Sequence, residues 1–553
     1  MKTRGSLWLA AVAACASGGR AIPPARFANV PPVFAVNDQQ DTREPPRKRE
    51  VTDGMFYFEG SVYRRLVRPL EVRRDERARG VNSLDEVPDS TWFTNRIGVR
   101  DLTLDELRRG PNVVGNPENF TPWVVHEIKH TGESLGFLIT DSRGEKFIIK
   151  FDRRGFPETE TANQMITGRL LWAAGYNTTD DYLAHVRAED IVVAPDATRY
   201  ELGGRTHRYT TAELAAALDT VERTRNGRLR VMASHFLDGK PIGGHAAEGV
   251  RADDPNDVIP HERRRDLRGA LPLFAWLDHV DVKESNTMDM WTQDPHDPAR
   301  HFVVHYFLDF GKSLGGMSLL AADPRRGNEY SVDPPKMYGS FVTLGLRPRT
   351  FEHRPYPDLR GIGLYDSVHY APEQWRPSSP AYLPFLVADR YDWFWGAKIM
   401  MRFTPDQLRA VVDLGELSDP SSRAFLVNTL IARQRQTAAY AFSCVNPLDN
   451  FAIDDRAALC FDDLALSYQL TSAQTRYLVR SFDPRGGPIG ASQIYEPTSG
   501  HTCTGPVDVS RDPVGYTIVE IETRRGRGGL RAYVHVARDP KTHGWRVIGI
   551  WRE

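Results

Sequence analysis

The stretch from His279 to Gly311 decides the fold expected of this chain. It opens with His279-Val280-Asp281-Val282-Lys283-Glu284-Ser285-Asn286 and closes with Leu308-Asp309-Phe310-Gly311. Between these motifs, residues 287–292 and 301–308 have strand-like composition, and the residues that separate them, 293–298, include two Asp/Pro pairs typical of a turn. The pattern predicts a β-hairpin that joins one acidic loop to another.

The two loops carry the residue types that phosphoryl transfer requires. An aspartate such as Asp281 can meet an acceptor hydroxyl, and Lys283 can neutralise the transferring phosphate. Asn286, five residues after Asp281, and Asp309 can hold a metal ion. Asp281 and Lys283 are therefore candidate catalytic residues, and Asn286 and Asp309 are candidate metal ligands.

Residues 136–151, GFLITDSRGEKFIIKF, predict a second hairpin, in which Lys150 ends an apolar strand. Gly132 and Gly136 lie in the turn of residues 130–136 that leads into this hairpin, and the backbone N–H groups of such a turn can approach phosphate. Only 11 of the 71 basic residues are Lys, and two of them stand at 150 and 283, where a compact ammonium suits phosphate. The alternative for Lys150 is a strand-end side chain that extends to water.

Together these motifs resemble those of the protein-kinase-like superfamily over roughly residues 132–442, nearest its atypical bacterial, HipA-type branch. The first motif matches the kinase catalytic loop H-x-D-x-K-x-x-N, and residues 309–311 match D-F-G. The full Gly-rich G-x-G-x-x-G is absent. The resemblance implies an α+β, two-lobed protein-kinase-like fold, with ATP and Mg²⁺ in the cleft and Lys150, Gly132 and Gly136 at the nucleotide.

In such a fold, the helix after Lys150 supplies a carboxylate to that lysine. Apolar residues at helical spacing predict a helix over 157–174, ended by Gly175. Its mid-helix position holds Gln164, which cannot form an ion pair, whereas Glu160 lies near its start. Either Glu160 serves as the nucleotide-site carboxylate, or the pairing is lost.

Composition places the chain among globular proteins and excludes several classes. The 553 residues are 41% hydrophobic and 26% charged, with a formal net charge of -1. This balance lacks the basic footprint of a nucleic-acid binder, so no nucleic-acid partner is expected. The length suggests two or three domains.

The N-terminus predicts export. Lys2 and Arg4 precede a short apolar run, which is typical of a secretory signal, and residues 12–15, ending in Cys15, resemble a lipobox. The expected location is the periplasm or the outer membrane, with a membrane contact through a lipid on Cys15; the alternative is a plain signal cut near Ala16 or Ala21.

The remaining chain divides by composition. The expected parts are a signal peptide over 1–22, a disordered linker over 23–54, an N-terminal extension with the sheet-containing lobe over 55–233, a helical lobe over 234–443 and an antiparallel β module over 444–553. Cys444, Cys460 and Cys503 lie in or next to the last part. One disulfide among them, with one cysteine left over, fits an oxidising compartment.

Three other motifs resemble sites of different chemistry. Residues 132–136 spell G-x-S-x-G, but a strand hairpin follows instead of the helix that a hydrolase needs. Gly311-Lys312-Ser313 lacks the upstream glycine of a P-loop, because Tyr306 stands there. His296, His301 and His305 are candidates for a metal site, but their spacing favours packed or solvated side chains.

The sequence therefore favours an exported, kinase-like phosphotransferase that uses ATP and Mg²⁺ on an unknown protein or small-molecule acceptor. Transfer of a nucleotidyl group stays open. The alternative is a catalytically inactive, pseudokinase-type envelope lipoprotein that acts as a binding or structural module.

Overall fold

The computed structural model describes residues 24–50, 53–67, 76–128, 134–200, 206–316, 323–346, 349–526 and 528–553. The predicted signal peptide, the predicted lipidation at Cys15 and the predicted nucleotide contact at Gly132 lie outside the described residues. Residues 24–50 are mostly extended along the body of the protein, where Arg49 N–H donates to the Ile242 carbonyl at 2.9 Å and Thr42 N–H to the His301 carbonyl at 2.7 Å.

A mixed seven-stranded sheet forms the first lobe. Its strands are β1 Trp123–Ile128, β2 Gly136–Thr140, β3 Lys146–Phe151, β4 Asp181–Val186, β5 Ile191–Tyr200, β6 Thr206–Arg208 and β7 Leu229–His235. They lie in the order β4-β7-β3-β2-β1-β5-β6; β1 and β5 are parallel and the other neighbours antiparallel. The hairpin predicted over 136–151 is confirmed as β2 and β3.

The helices of the described residues are α1 Asp53–Phe58, α2 Arg64–Val67, α3 Leu104–Arg109, α4 Thr159–Ala174, α5 Thr211–Leu218, α6 Arg265–Arg268, α7 Leu271–Trp276, α8 Pro334–Val342, α9 Leu383–Leu386, α10 Arg390–Met400, α11 Pro405–Asp413, α12 Pro420–Cys444 and α13 Leu464–Ser467. Within this described part of the chain, none of them combines the length and apolarity that a membrane crossing needs.

Helix α4 is the predicted helix over 157–174. It begins where the Asp152 carboxylate accepts from the backbone N–H groups of Glu160 and Thr161 at 2.9 and 3.0 Å, which satisfies two of the unpaired donors of the first turn. It ends at Gly175, as predicted. Nearly all of its side chains are buried, because it lies between the sheet and the second lobe, where it contacts α3 and α11.

The second lobe is mainly helical, around a core that continues from α4. Short β8, Lys240–Pro241, pairs with β9, Thr287–Gln293, which pairs with β10, His301–Phe307. This is the hairpin predicted between the two acidic loops. Helices α7, α10 and α12 pack together around fully buried aromatic side chains such as Trp276 and Trp395.

The C-terminal part is antiparallel β structure, as predicted. Its strands are β11 Leu448–Ile453, β12 Ala458–Asp463, β13 Thr475–Phe482, β14 Pro488–Tyr495, β15 His501–Pro506, β16 Thr517–Arg525, β17 Gly529–Arg538 and β18 Trp545–Arg552. They form sheets in the orders β11-β12-β15 and β14-β13-β16-β17-β18. Cys460 and Cys503, opposite each other on β12 and β15, form a disulfide, and Cys444 is free.

The predicted fold class is therefore confirmed: an α+β chain with a sheet-containing lobe, a helical lobe and a C-terminal antiparallel module. The domain boundaries stay predictions.

Candidate active site

The two acidic loops meet below the first lobe, and a buried histidine packs between them. His279 follows α7, and its ring lies 4.8 Å from that of Phe274 and 5.5 Å from that of Phe310, between centroids. Burial lowers the pKa of His279 to about 4, so its imidazole is neutral at physiological pH. It therefore acts as a packing element that holds the 279–286 loop against the 308–311 loop.

Asp281 lies between two lysines. Its Oδ1 is 3.8 Å from Lys283 Nζ, and its Oδ2 is 3.6 Å from Lys312 Nζ. Burial opposes the charge on Lys283, but the carboxylates of Asp281 and Asp53 outweigh it and raise the pKa of Lys283. The arrangement places one carboxylate and two ammonium groups together, which suits an acceptor hydroxyl next to a phosphate.

Asn286 is buried and ties the first loop to the second. Its side-chain Nδ2 donates to the Asp281 carbonyl at 2.8 Å, and its own carbonyl accepts from the Leu308 N–H at 2.9 Å. Because Nδ2 is used as a donor within the loop, the amide oxygen is the atom that suits a cation.

Lys150 and Asp309 meet directly. Lys150 Nζ donates to Asp309 Oδ1 at 2.5 Å, although 159 residues separate the two along the chain. The backbone of Asp309 is left-handed, with φ of 61°, a conformation that is costly for a residue other than glycine. The second loop is thus held in a strained shape that turns its carboxylate toward the lysine of β3.

Glu160, from the first turn of α4, is the carboxylate of the same cluster. Its Oε1 accepts from Ser134 Oγ at 2.5 Å. Burial raises the pKa of Glu160, while the Lys150 ammonium works against this shift. At Gly311 an added Cβ would lie 2.6 Å from Glu160 Cγ, so the close approach of Glu160 to the second loop requires glycine there.

Gln164 lies deeper along α4 and holds the second loop by its backbone. Its Oε1 accepts from the Phe310 N–H at 2.6 Å, and its Nε2 donates to Asp181 Oδ2 at 2.7 Å. Asn163, on the same helix, donates to the Ser313 carbonyl at 2.8 Å. Gln164, which cannot form an ion pair with Lys150, therefore anchors the loop that carries Asp309.

The structure brings six of the predicted site residues into this cleft. They are Lys150, Glu160, Asp281, Lys283, Asn286 and Asp309. Gly136 is buried on β2, where it pairs with Lys150 of β3. Their chemical roles stay predictions.

The N-terminal segment contacts the first loop. Asp53, the first residue of α1, accepts from Lys283 Nζ at 2.7 Å and from Ser285 Oγ at 2.6 Å. Lys283 and Ser285 lower the pKa of Asp53 against the opposing effect of its partial burial. Next to it, Arg49 Nη2 lies 2.6 Å from Glu284 Oε2. A segment 230 residues upstream thus occupies one side of the 279–286 loop.

Sequence reasoning missed three contributors to the site. Lys312 directly follows the second motif, and the scarcity of lysine was a signal for it as much as for Lys150 and Lys283. Asp152, two residues after Lys150, carried no cap signal, because α4 begins only at Thr159. Asp53 carried none, because nothing local links it to Lys283.

Comparisons with known proteins give only distant similarity. No family model matches the chain, and no curated protein matches it. The chain is similar to the solved structure of the Golgi casein kinase, with 10% identity and a TM-score of 0.29 over 61% of this chain and 73% of that one. The Golgi casein kinase with Mn/ADP bound gives 10% identity and a TM-score of 0.30, over 74% and 93%. The Rio2 kinase in an ADP/Mg²⁺-phosphoaspartate complex, from Chaetomium thermophilum, gives 13% and 0.20, over 50% and 71%. At these TM-scores the similarities support no activity and no ligand for this chain.

Proposed function

We propose that the protein is a phosphotransferase that takes ATP with Mg²⁺ into the cleft between its two lobes. The observation that carries this proposal is the 2.5 Å contact between Lys150 and Asp309, with Asp281, Lys283 and Asn286 on the facing loop. Residues that the sequence separates by more than 130 positions are gathered there in the combination that phosphoryl transfer uses.

The side chains fit divalent metal and phosphate. A carboxylate from Asp309 and an amide oxygen from Asn286 are hard ligands of the kind that Mg²⁺ prefers. Lys150, and Lys283 with Lys312, supply positive charge on two sides of the cleft, where it stabilises a transferring phosphate electrostatically. A bound Mg²⁺ would neutralise the negative charge of the nucleotide phosphates.

Asp281 is the group that handles the acceptor. Its carboxylate orients the acceptor hydroxyl and takes its proton, while the acceptor oxygen bonds to the γ-phosphorus and the bond from phosphorus to the leaving ADP breaks. Lys283 and Lys312 lie 3.8 and 3.6 Å from the Asp281 carboxylate and place positive charge beside the reacting groups. The acceptor is a protein or a small molecule with a free hydroxyl.

The inactive alternative rests on the predicted export, because ATP is normally scarce outside the cytoplasm, and on Gln164; the contacts of Gln164 weaken only the second of these grounds. Glu160 lies near Lys150 and supplies the carboxylate, while Gln164 supports the loop that carries Asp309.

Nucleotide binding by the purified protein, with and without Mg²⁺, tests the proposal. We expect Mg²⁺-dependent binding of ATP in the native chain and its loss in Asp309→Asn, which keeps the shape of the side chain. Asp105→Asn is the matched control, because that carboxylate is 93% exposed and lies outside the cleft. Absence of Mg²⁺-dependent binding in the native chain would overturn the proposal. Binding without release of the γ-phosphate would favour the inactive alternative.

Label position separates phosphoryl from nucleotidyl transfer. With ATP labelled at the γ-phosphate, an acceptor gains label only in phosphoryl transfer, and with ATP labelled at the α-phosphate only in nucleotidyl transfer. We expect label from the γ position and none from the α position.

We further propose that the protein is exported and lipidated at Cys15, as the sequence of residues 1–15 suggests. A Cys15→Ser variant is then expected to leave the membrane fraction and appear in the soluble periplasmic fraction. Unchanged fractionation would contradict the lipid anchor.

A further inference from the structure

A buried cluster of two histidines and an aspartate lies beneath the hairpin that joins the two acidic loops. Asp289 is on β9 and His305 on β10, where the two residues are paired across the strands, and His305 Nδ1 lies 2.7 Å from Asp289 Oδ1. His245, from the segment after β8, places its Nδ1 3.6 Å from the same oxygen. The three ligand atoms all lie within 4.8 Å of one another.

We propose that His245, Asp289 and His305 form a structural site for a divalent transition-metal ion, Zn²⁺ by its ligand set. Two imidazoles and one carboxylate are ligands that Zn²⁺ accepts. Tetrahedral ligand atoms lie about 3.4 Å apart around such an ion, given bonds of about 2.0–2.1 Å. The distance between His245 and Asp289 already matches this spacing, and His305 has to move away from Asp289 by about 0.7 Å.

His245 gives the second, independent observation. Its side chain is 2% exposed, and its Nδ1 has no hydrogen-bond partner within 3.5 Å in the described part of the chain; the Asp289 oxygen lies at 3.6 Å, too long for a good hydrogen bond. Its Nε2 lies 3.4 Å from the Tyr382 hydroxyl, which can hold the ring proton on that side. The Nδ1 lone pair is then directed into the cluster, and a buried lone pair without a partner is costly unless a cation or donor meets it.

The surrounding charge favours a cation. Arg251 pairs with the other oxygen of Asp289, at 2.9 Å from Nη2. The buried carboxylates of Asp254 and Asp257 also interact with His305 through charge. Asp289, Asp254 and Asp257 thus place three carboxylates around the cluster, which favours a cation there.

A neighbouring histidine shows the difference between a ligand and a packed side chain. His261 lies against the same Trp92 ring as His305, but its Nε2 is 2.7 Å from Asp257 and its Nδ1 is 2.6 Å from the Ala246 carbonyl. Both of its nitrogens are satisfied, so it offers no ligand atom. The ion would therefore link His245 to β9 and β10 and fix the hairpin between Asn286 and Asp309.

Metal analysis of the full chain tests the site without reference to enzyme activity. We expect the purified protein to retain about one equivalent of Zn²⁺, and the chelator-treated protein to regain it with a rise in Tm. Co²⁺ in its place gives the visible absorption bands of nitrogen and oxygen coordination. His245→Gln and His305→Asn are each expected to weaken Zn²⁺ binding by more than about 100-fold, because loss of a direct ligand exceeds the 10–100-fold effect of outer partners.

The matched control is His301→Asn, because His301 is on the same strand but stacks on Trp291 at 4.2 Å instead of reaching the cluster. It is expected to bind Zn²⁺ like the native chain. Failure of the native chelator-treated protein to take up Zn²⁺ or to show Co²⁺ bands would overturn the site. The same holds for unchanged affinity in a folded His245→Gln variant. The native-chain measurements decide the matter even if a variant does not fold.

Discussion

Gln164→Glu is the substitution that best separates what the structure shows from what the resemblance to protein kinases predicts. In protein kinases a glutamate at this mid-helix position pairs with the strand lysine. From the resemblance alone, the variant is therefore expected to bind nucleotide more tightly. In the structure, residue 164 faces the buried Asp181 carboxylate at 2.7 Å, and its oxygen accepts from the Phe310 N–H. The variant is therefore expected to weaken the anchor of the Asp309 loop.

The size of the effect follows from the alternatives open to two adjacent carboxylates. Both ionised at 2.7 Å, they repel by about 6 kcal/mol at an effective dielectric constant of about 20. Retaining a proton on the new glutamate, whose ordinary pKa is about 4.3, costs about 5 kcal/mol at about pH 8 but only about 1 kcal/mol at about pH 5. A protonated glutamate still donates to Asp181 and accepts from Phe310, so proton retention is the cheaper route.

The sign of the pH dependence follows directly. Burial raises the pKa of Asp181 already in the native chain, and the new carboxyl raises the joint pKa of the pair further. Groups whose pKa is higher in the folded state stabilise it at low pH, and this stabilisation is lost as the pH rises through the folded-state pKa. The variant is therefore expected to lose about 3–5 kcal/mol of local stability at about pH 8 and about 1 kcal/mol at about pH 5.

Hydrogen exchange of peptides that cover α4 and residues 308–313 measures the local opening free energy. Gln164→Met is the matched control: it removes both hydrogen bonds without adding charge. Its loss of about 2–3 kcal/mol is expected to change less between the two pH values than that of Gln164→Glu, because only the pKa of Asp181 rises when the Gln164 donor is lost. Native-like protection of Gln164→Glu at about pH 8, or tighter nucleotide binding, would refute the placement of residue 164 beside Asp181.

Two further outcomes are expected. Asp53→Asn removes the carboxylate that Lys283 contacts at 2.7 Å, so labelling of Lys283 by an amine-reactive ester should increase. Lys48, which is 63% exposed, should label as before. Equal labelling of Lys283 in both proteins would contradict the contact. Replacing Cys460 and Cys503 together by serine should destabilise the C-terminal sheets by about 4 kcal/mol, the chain entropy of the 43-residue separation. An unchanged Tm for this part of the protein in calorimetry would argue against it.

Local patterns predicted the elements around the site, because local chemistry determines them. The alternation of apolar residues and the turn at 141–144 suffice for the hairpin of β2 and β3, and Gly175 suffices to end α4. The hairpin of β9 and β10 follows in the same way from two strand-like segments around a Pro-containing turn. The order of the motifs then gave most of the residues in the cleft.

Contacts between residues far apart along the chain could not be predicted from local sequence patterns. Helix α4 is buried on almost every side, so its periodicity does not tell which polar residue faces Lys150 and which faces Asp181. Residues 24–50 have the composition of a linker, yet their backbone groups pair with the second lobe, as Arg49 does with Ile242. The same limit applies to His305, whose partner His245 lies 60 residues away and in no recognisable motif.

The polar side chains of α4 explain why the cleft holds its shape. Glu160 accepts a hydrogen bond from Ser134, just ahead of β2. Gln164 and Asn163 bind the backbone of Phe310 and Ser313. One helix therefore fixes both the residue that leads into β2 and the loop that carries Asp309. Because Asp152 caps this helix two residues after Lys150, the strand lysine and the helix start are set by the same short segment. Glu160 and the Asp309 loop are therefore both held by a helix whose start is fixed to the strand of Lys150. This role explains why residue 164 is a neutral glutamine. Its amide accepts from the Phe310 N–H and donates to the Asp181 carboxylate at once, which a glutamate does only while it keeps its proton.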